Sequence, residues 1–145
     1  MDKFVIQGGK KLSGKVKVSG AKNSVLALLP ATLLNSGINV ITNAPQVNDV
    51  YTIIKLLQQL GVTSEFDDHV VKLNTTGINS QFAPYENVKK MRASVYVLGP
   101  LLSRYGYAKV SMPGGCAWGP RPINLHLEAM KKLGGEIELE EGYII

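Results

Sequence analysis

Apolar and polar positions alternate in two short stretches at the start of the chain. Lys3–Gln7 and Lys15–Ser19 carry β-branched residues with the period of a strand, and Gly8-Gly9 and Gly14 punctuate them. Past Ser19-Gly20 the pattern becomes strongly apolar, and Val25–Leu34 reads as a buried helix stopping near Asn35-Ser36-Gly37. Val40-Ile41 form a strand. Val50, Ile53, Ile54, Leu57 and Leu60 then recur at helical spacing, behind a cap at Asn48 or Asp49 and ahead of a stop at Gly61. Two strands, Val62–Phe66 and Val70–Leu73, are expected around a turn at Asp67-Asp68.

The same order recurs downstream. Val88, Met91, Val95, Leu98 and Leu102 predict one helix from about Tyr85 to Arg104, followed by a strand at Ala108–Ser111. A glycine- and proline-rich loop leads into a helix at Ile123–Leu133 and a strand at Glu136–Leu139. A turn at Glu141-Gly142 precedes Tyr143-Ile144-Ile145. The helix stop Leu60-Gly61 returns as Leu133-Gly134, and Leu33–Gly37 resembles Leu101–Gly106, an interval of about 70 residues. That interval is too long for a solenoid and fits a duplicated βαβ-type unit. The last strand, beginning at Tyr143, reads as an exposed edge without its continuation, so a fragment of a longer chain is expected.

Composition narrows the classes. The 145 residues, 45% hydrophobic, fit one globular domain. Neither a secretory leader nor a run long enough to span a bilayer is expected, which points to a soluble cytoplasmic protein. Cys116 is the one cysteine, so no intrachain disulfide can form. His69 and His126 have no second ligand at metal spacing, and neither metal nor cofactor is expected. The net charge of +5 is scattered rather than blocked, which suits small anions better than nucleic acid.

Three segments carry candidate chemistry. Ser19–Ser24 (SGAKNS) precedes the first long helix, where free N–H groups and the helix dipole favour an anion and Lys22 adds a full charge. Asn23 can donate and accept. Taken alone, a solvated lysine beside a capping asparagine is the better explanation of the string, since short Gly-Ala-Lys strings are common. Lys89–Ser94 stands at the equivalent place in the second unit, where Arg92 suits bidentate contact with phosphate or carboxylate, although taken alone the segment is better explained as a solvated basic helix face. Pro113–Pro122 holds three glycines and three prolines, which exclude regular structure and favour a functional loop. Cys116 sits mid-loop among small residues, and nearby Arg121 would favour its thiolate. Trp118 is either a packing anchor or a substrate contact.

SGAKN, then APY and MRAS, then PGGC-x-x-G-x-RP followed by LH together resemble the UDP-N-acetylglucosamine 1-carboxyvinyltransferase family along the whole chain. The resemblance implies an α/β fold of repeated βαβαββ units, an inside-out α/β barrel (the enolpyruvyl transferase fold), incomplete in this chain. Residues 1–21 would pack with a second lobe, and 22–145 would be the first two units of the catalytic lobe.

It further implies that the 3′-hydroxyl of UDP-N-acetylglucosamine adds to C2 of phosphoenolpyruvate and phosphate leaves, committing sugar nucleotide to peptidoglycan. Lys22 would contact phosphoenolpyruvate, Asn23 the sugar site and Arg92 a substrate. Arg121 would bridge both substrates, and Pro122, Ile123, Asn124 and Leu125 would line the nucleotide site. Cys116 would be the proton donor or product-release residue and the target of fosfomycin. Where the family has aspartate after RP-hydrophobic, this chain has Asn124, which still bonds the uracil region but cannot accept from two donors as a carboxylate does. The general base and an arginine would come from the missing C-terminal part of the same polypeptide, so the chain alone is expected to be inactive. Two other readings are a paralogue with another acceptor and a non-catalytic nucleotide-binding half-protein.

Overall fold

A computed structural model describes residues 3–85, 92–112 and 123–145, with 92–94 described in backbone only. Helix α1 (Lys22–Ala31) tightens into the 3₁₀ turn η1 (Thr32–Leu34), and β1 (Ile38–Ile41), α2 (Asn48–Gln59), β2 (Thr63–Asp67) and β3 (Val70–Asn74) follow. The second half runs β4 (Phe82–Ala83), 3₁₀ helix η2 (Arg92–Val97), α3 (Leu98–Tyr105), β5 (Lys109–Ser111), α4 (Asn124–Lys132), β6 (Leu139–Glu140) and β7 (Tyr143–Ile144).

Both sheets share one plan. β3 lies between β1 and β2, and β7 between β5 and β6, all antiparallel, while β4 adds a parallel strand beside β5. The duplication extends to single hydrogen bonds. After α2, the N–H of Gly61 bonds Gln58 O and that of Val62 bonds Leu57 O. After α4, Gly134 bonds Lys131 O and Gly135 bonds Met130 O. This pair of bonds defines a Schellman stop with glycine at positive φ, +100° at Gly61 and +94° at Gly134. The hairpins agree too: Asp68-His69 and Glu141-Gly142 both have positive φ, as a two-residue type I′ turn requires.

Helices lie inside and sheets outside. α1, α2 and η2 pack on one another, burying Val25, Leu26, Leu29, Val50, Ile53, Leu57 and Val97, while β3 contributes Val71 and Leu73 from its inner face. The opposite face of the first sheet carries exposed Thr63, Glu65, Asp67 and Lys72. This is the inside-out α/β arrangement. α4 is less covered: none of its residues is buried, and an apolar cavity of about 870 Å³ opens beside it, lined by Leu98, Leu102, Met130, Leu133, Ile137 and Ile144.

Several expectations need correction. Lys3–Gln7 and Lys15–Ser19 form no strand here. They have no ladder partner among the described residues, and Phe4 (98% exposed) and Val16 (89%) face solvent. A strand needs a neighbour to satisfy its backbone, whatever its side-chain period. The continuous helix expected over 85–104 is divided, because Pro100 has no N–H for Tyr96 O and its ring crowds that carbonyl. Among the described residues from Arg92 on, the chain runs as 3₁₀ from Arg92 to Val97 and as α-helix from Leu98. Residues 86–91 of that expectation lie outside the described residues. Strand β6 is confined to Leu139–Glu140, short of the expected Glu136–Leu139. Tyr143 is not on an edge, since β7 is paired on both sides. Nor is there a side-chain cap on α2, whose N-cap position is Val47.

One side chain ties the two halves together. Arg104 Nη1 donates to Leu33 O at 2.9 Å and to Asn35 O at 2.5 Å, satisfying carbonyls at the end of η1 from the last turn of α3. The bond to Leu33 O is partly buried and that to Asn35 O exposed, and hydrogen bonds from charged donors contribute about 1.5–3 kcal/mol. Arg104→Ala is therefore expected to lower stability by about 2 kcal/mol in urea denaturation, with Arg104→Lys recovering part. A loss below about 0.5 kcal/mol would show the tie to be incidental.

Candidate functional site

The backbone brings two helix starts together. At Gly20 a Cβ would lie 2.0 Å from Asn43 O, so only glycine lets the segment leading into α1 press against the β1–α2 connection. That connection is itself clamped. Ala44 N–H donates to His69 O at 2.8 Å, and His69 Nδ1 meets Ala44 O at 2.9 Å, fixing the imidazole with its proton on Nδ1. His69 thus has a structural use.

Lys22 opens α1, and its Nζ donates to Asp49 Oδ2 at 2.7 Å in the first turn of α2. Neither helix has a side-chain cap at its start. The first-turn N–H groups and both positive dipole ends therefore favour an anion where Lys22 sits. Asn23, one position on, is exposed.

Asp49 was foreseen only as a possible cap, yet it is the partner of Lys22. A signal existed. Lys22 has Val25 and Leu26 at i+3 and i+4, and Asp49 has Thr52 and Ile53, so neither charge can pair within its own helix.

The other expected residues are distributed as follows. Arg92 opens η2, which packs against α1 and α2, and its side chain is not among those described. Asn124 and Leu125, both exposed, form the first turn of α4, and Ile123 is the half-buried residue before it. By the duplication, α4 stands to the second sheet as α2 stands to the first. Cys116, Arg121, Pro122 and Trp118 lie outside the described residues. They belong to the β5–α4 connection, the counterpart of the β1–α2 connection beside Lys22.

Comparison with known proteins decides the family. A family profile described as EPSP synthase (3-phosphoshikimate 1-carboxyvinyltransferase) matches residues 6–145. The chain belongs to this enolpyruvyl transferase family. It is 58% identical, over its whole length, to a UDP-N-acetylglucosamine 1-carboxyvinyltransferase of Chloroherpeton thalassium, covering 34% of that protein. The same-named proteins of Acinetobacter guillouiae (55% identity over 99% of the chain and 34% of the relative) and Campylobacter fetus (54% over 100% and 35%) are similarly related. The chain thus spans about a third of the length of the relatives it matches. A crystal structure of the enolpyruvyl transferase NikO from Streptomyces tendae superposes with a TM-score of 0.77 at 24% identity, covering 94% of this chain and 30% of that one. That likeness bears on fold alone, and it agrees with the expected enolpyruvyl transferase architecture.

Proposed function

We propose that the chain is the first third of a cytoplasmic UDP-N-acetylglucosamine enolpyruvyl transferase and supplies the anion-binding half of its active site. The observation that carries the reading is the Lys22 ammonium at the meeting point of two uncapped helix starts, within a chain 58% identical to a protein of that name. The reaction joins the sugar 3′-oxygen to C2 of phosphoenolpyruvate, with a proton delivered to C3. Loss of a C3 proton and of phosphate then restores the enol ether, giving peptidoglycan synthesis its precursor. Phosphoenolpyruvate presents a phosphate and a carboxylate, and the sugar nucleotide a diphosphate. Lys22, Arg92 and Arg121 supply the cations, with Asn23 and residues Pro122–Leu125 on the acceptor. Holding both reactants in one orientation supplies proximity, and fixed cations stabilise charge moving onto the leaving phosphate. Cys116 delivers a proton or assists product release and is the site of fosfomycin alkylation.

The remaining two-thirds of the polypeptide would pack on residues 1–21 and contribute the general base. Its expected contacts suit the surfaces left open here: the exposed apolar side chains of the first 20 residues and the cavity beside α4. The test is phosphate release from phosphoenolpyruvate with UDP-N-acetylglucosamine. The full-length polypeptide is expected to turn over and the 145 residues alone to be inactive. Turnover by the 145 residues alone would refute the two-part site. Activity of the full-length protein only with a different acceptor would mark a paralogue.

A further inference from the structure

We propose that Asp49 is a positioning residue for Lys22, holding its ammonium in the orientation that receives the anionic substrate. The inference rests on the reading of Lys22 as a phosphoenolpyruvate contact and extends it to a residue with no role so far.

Lys22 and Asp49 are 27 positions apart, and their contact is made only because α1 and α2 start side by side. Half-exposed pairs of this kind (49% and 40% exposed) add little to stability. The consequence of the contact is geometric. A lysine side chain turns about four bonds, and an exposed one samples many orientations that an arriving anion must freeze out. A fixed carboxylate at 2.7 Å removes that freedom beforehand. An ammonium has three donors, so one bond to Asp49 leaves two for phosphate or carboxylate oxygens. Asp49 is in turn anchored: it lies in the first turn of α2, where the helix dipole favours a carboxylate. The loop leading into α2 is locked to the β2–β3 turn through Ala44 and His69. The carboxylate is thus carried by a rigid part of the fold, and Lys22 borrows that rigidity.

A carboxylate beside a substrate-binding lysine also repels an anion. With positioning dominant, removing Asp49 weakens anion binding; with repulsion dominant, removal strengthens it. Two uncapped helix starts already offset the negative charge, which favours the first outcome.

The test is a double-mutant cycle in the full-length polypeptide, reading the phosphoenolpyruvate KM, the kcat and the calorimetric Kd for phosphoenolpyruvate. Asp49→Ala is expected to weaken phosphoenolpyruvate binding about tenfold. Asp49→Asn, which keeps the shape and one acceptor oxygen, should lose less and serves as the variant least able to disturb folding. In a Lys22→Ala background, Asp49→Ala should cost nothing further, because Asp49 acts only through Lys22. Full additivity, unchanged binding in Asp49→Ala, or tighter binding would each overturn the proposal. If Lys22→Ala itself leaves phosphoenolpyruvate binding intact, the reading of Lys22 fails, and that failure is told apart by the single variant alone.

Discussion

Lys22→Ala in the full-length polypeptide is expected to reduce kcat/KM for phosphoenolpyruvate by about 10²- to 10³-fold, the usual effect of removing one preorganised charge from a transition state that moves charge. The loss should fall on kcat as well as KM, since charge on the departing phosphate grows along the reaction. Lys22→Arg keeps the charge but replaces a compact ammonium by a planar fork, so it should recover only part. Stability should hardly change. The ion pair with Asp49 is half-exposed and contributes at most about 1 kcal/mol. Steady-state kinetics and a thermal melt on the same samples separate the two effects. A kcat/KM within threefold of wild type would remove Lys22 from the site, whereas a collapsed melt would make it a folding residue.

The fold was legible wherever a signal was local. Helix stops at Gly61 and Gly134 and the turn at Glu141-Gly142 depend on a few neighbouring residues, and the structure has them where the pattern puts them, while the first hairpin turns one residue later than expected, at Asp68-His69. The first 20 residues were not legible, because alternation gives a strand its faces but not its neighbour. Phe4, Val5 and Ile6 are exposed, and Lys3–Gln7 has no ladder partner among the described residues. The two-residue strand β4 was missed because it is too short for any period and exists only through its parallel ladder to β5. Hydrophobic spacing alone predicts one helix over 85–104, but Pro100 interrupts the hydrogen bonding that spacing presumes.

The candidate site divides along the same line. Lys22 was legible from its place after Gly20, whereas Asp49 acquires its meaning only when two helices 27 positions apart are laid side by side. Sequence patterns reveal which charges lack a partner within their own helix, and tertiary structure alone supplies the partner.

The duplication supplies a second large effect with its own control. Gly61→Ala is expected to destabilise the chain by about 3 kcal/mol or more, and Gly134→Ala by only about 1 kcal/mol. Both glycines end a helix in the same Schellman geometry at nearly equal φ, so both pay the same backbone penalty for a Cβ. Their surroundings differ. A Cβ on Gly61 would lie 2.3 Å from Gly77 O and 2.9 Å from Asn79 N, whereas around Gly134 nothing lies within 4 Å. The clash is with backbone, which cannot rotate away as a side chain would. The segment after β3 would have to move, and with it the hydrogen bond from Asn79 N–H to Leu60 O at 3.0 Å. Urea denaturation of the wild type and both variants measures the difference directly. Equal losses would mean that positive φ alone dictates glycine at this stop. A larger loss at Gly61 would mean that the first copy of the unit has closed around its helix end while the second remains open, as the uncovered face of α4 and the cavity beside Leu133 and Gly134 already suggest.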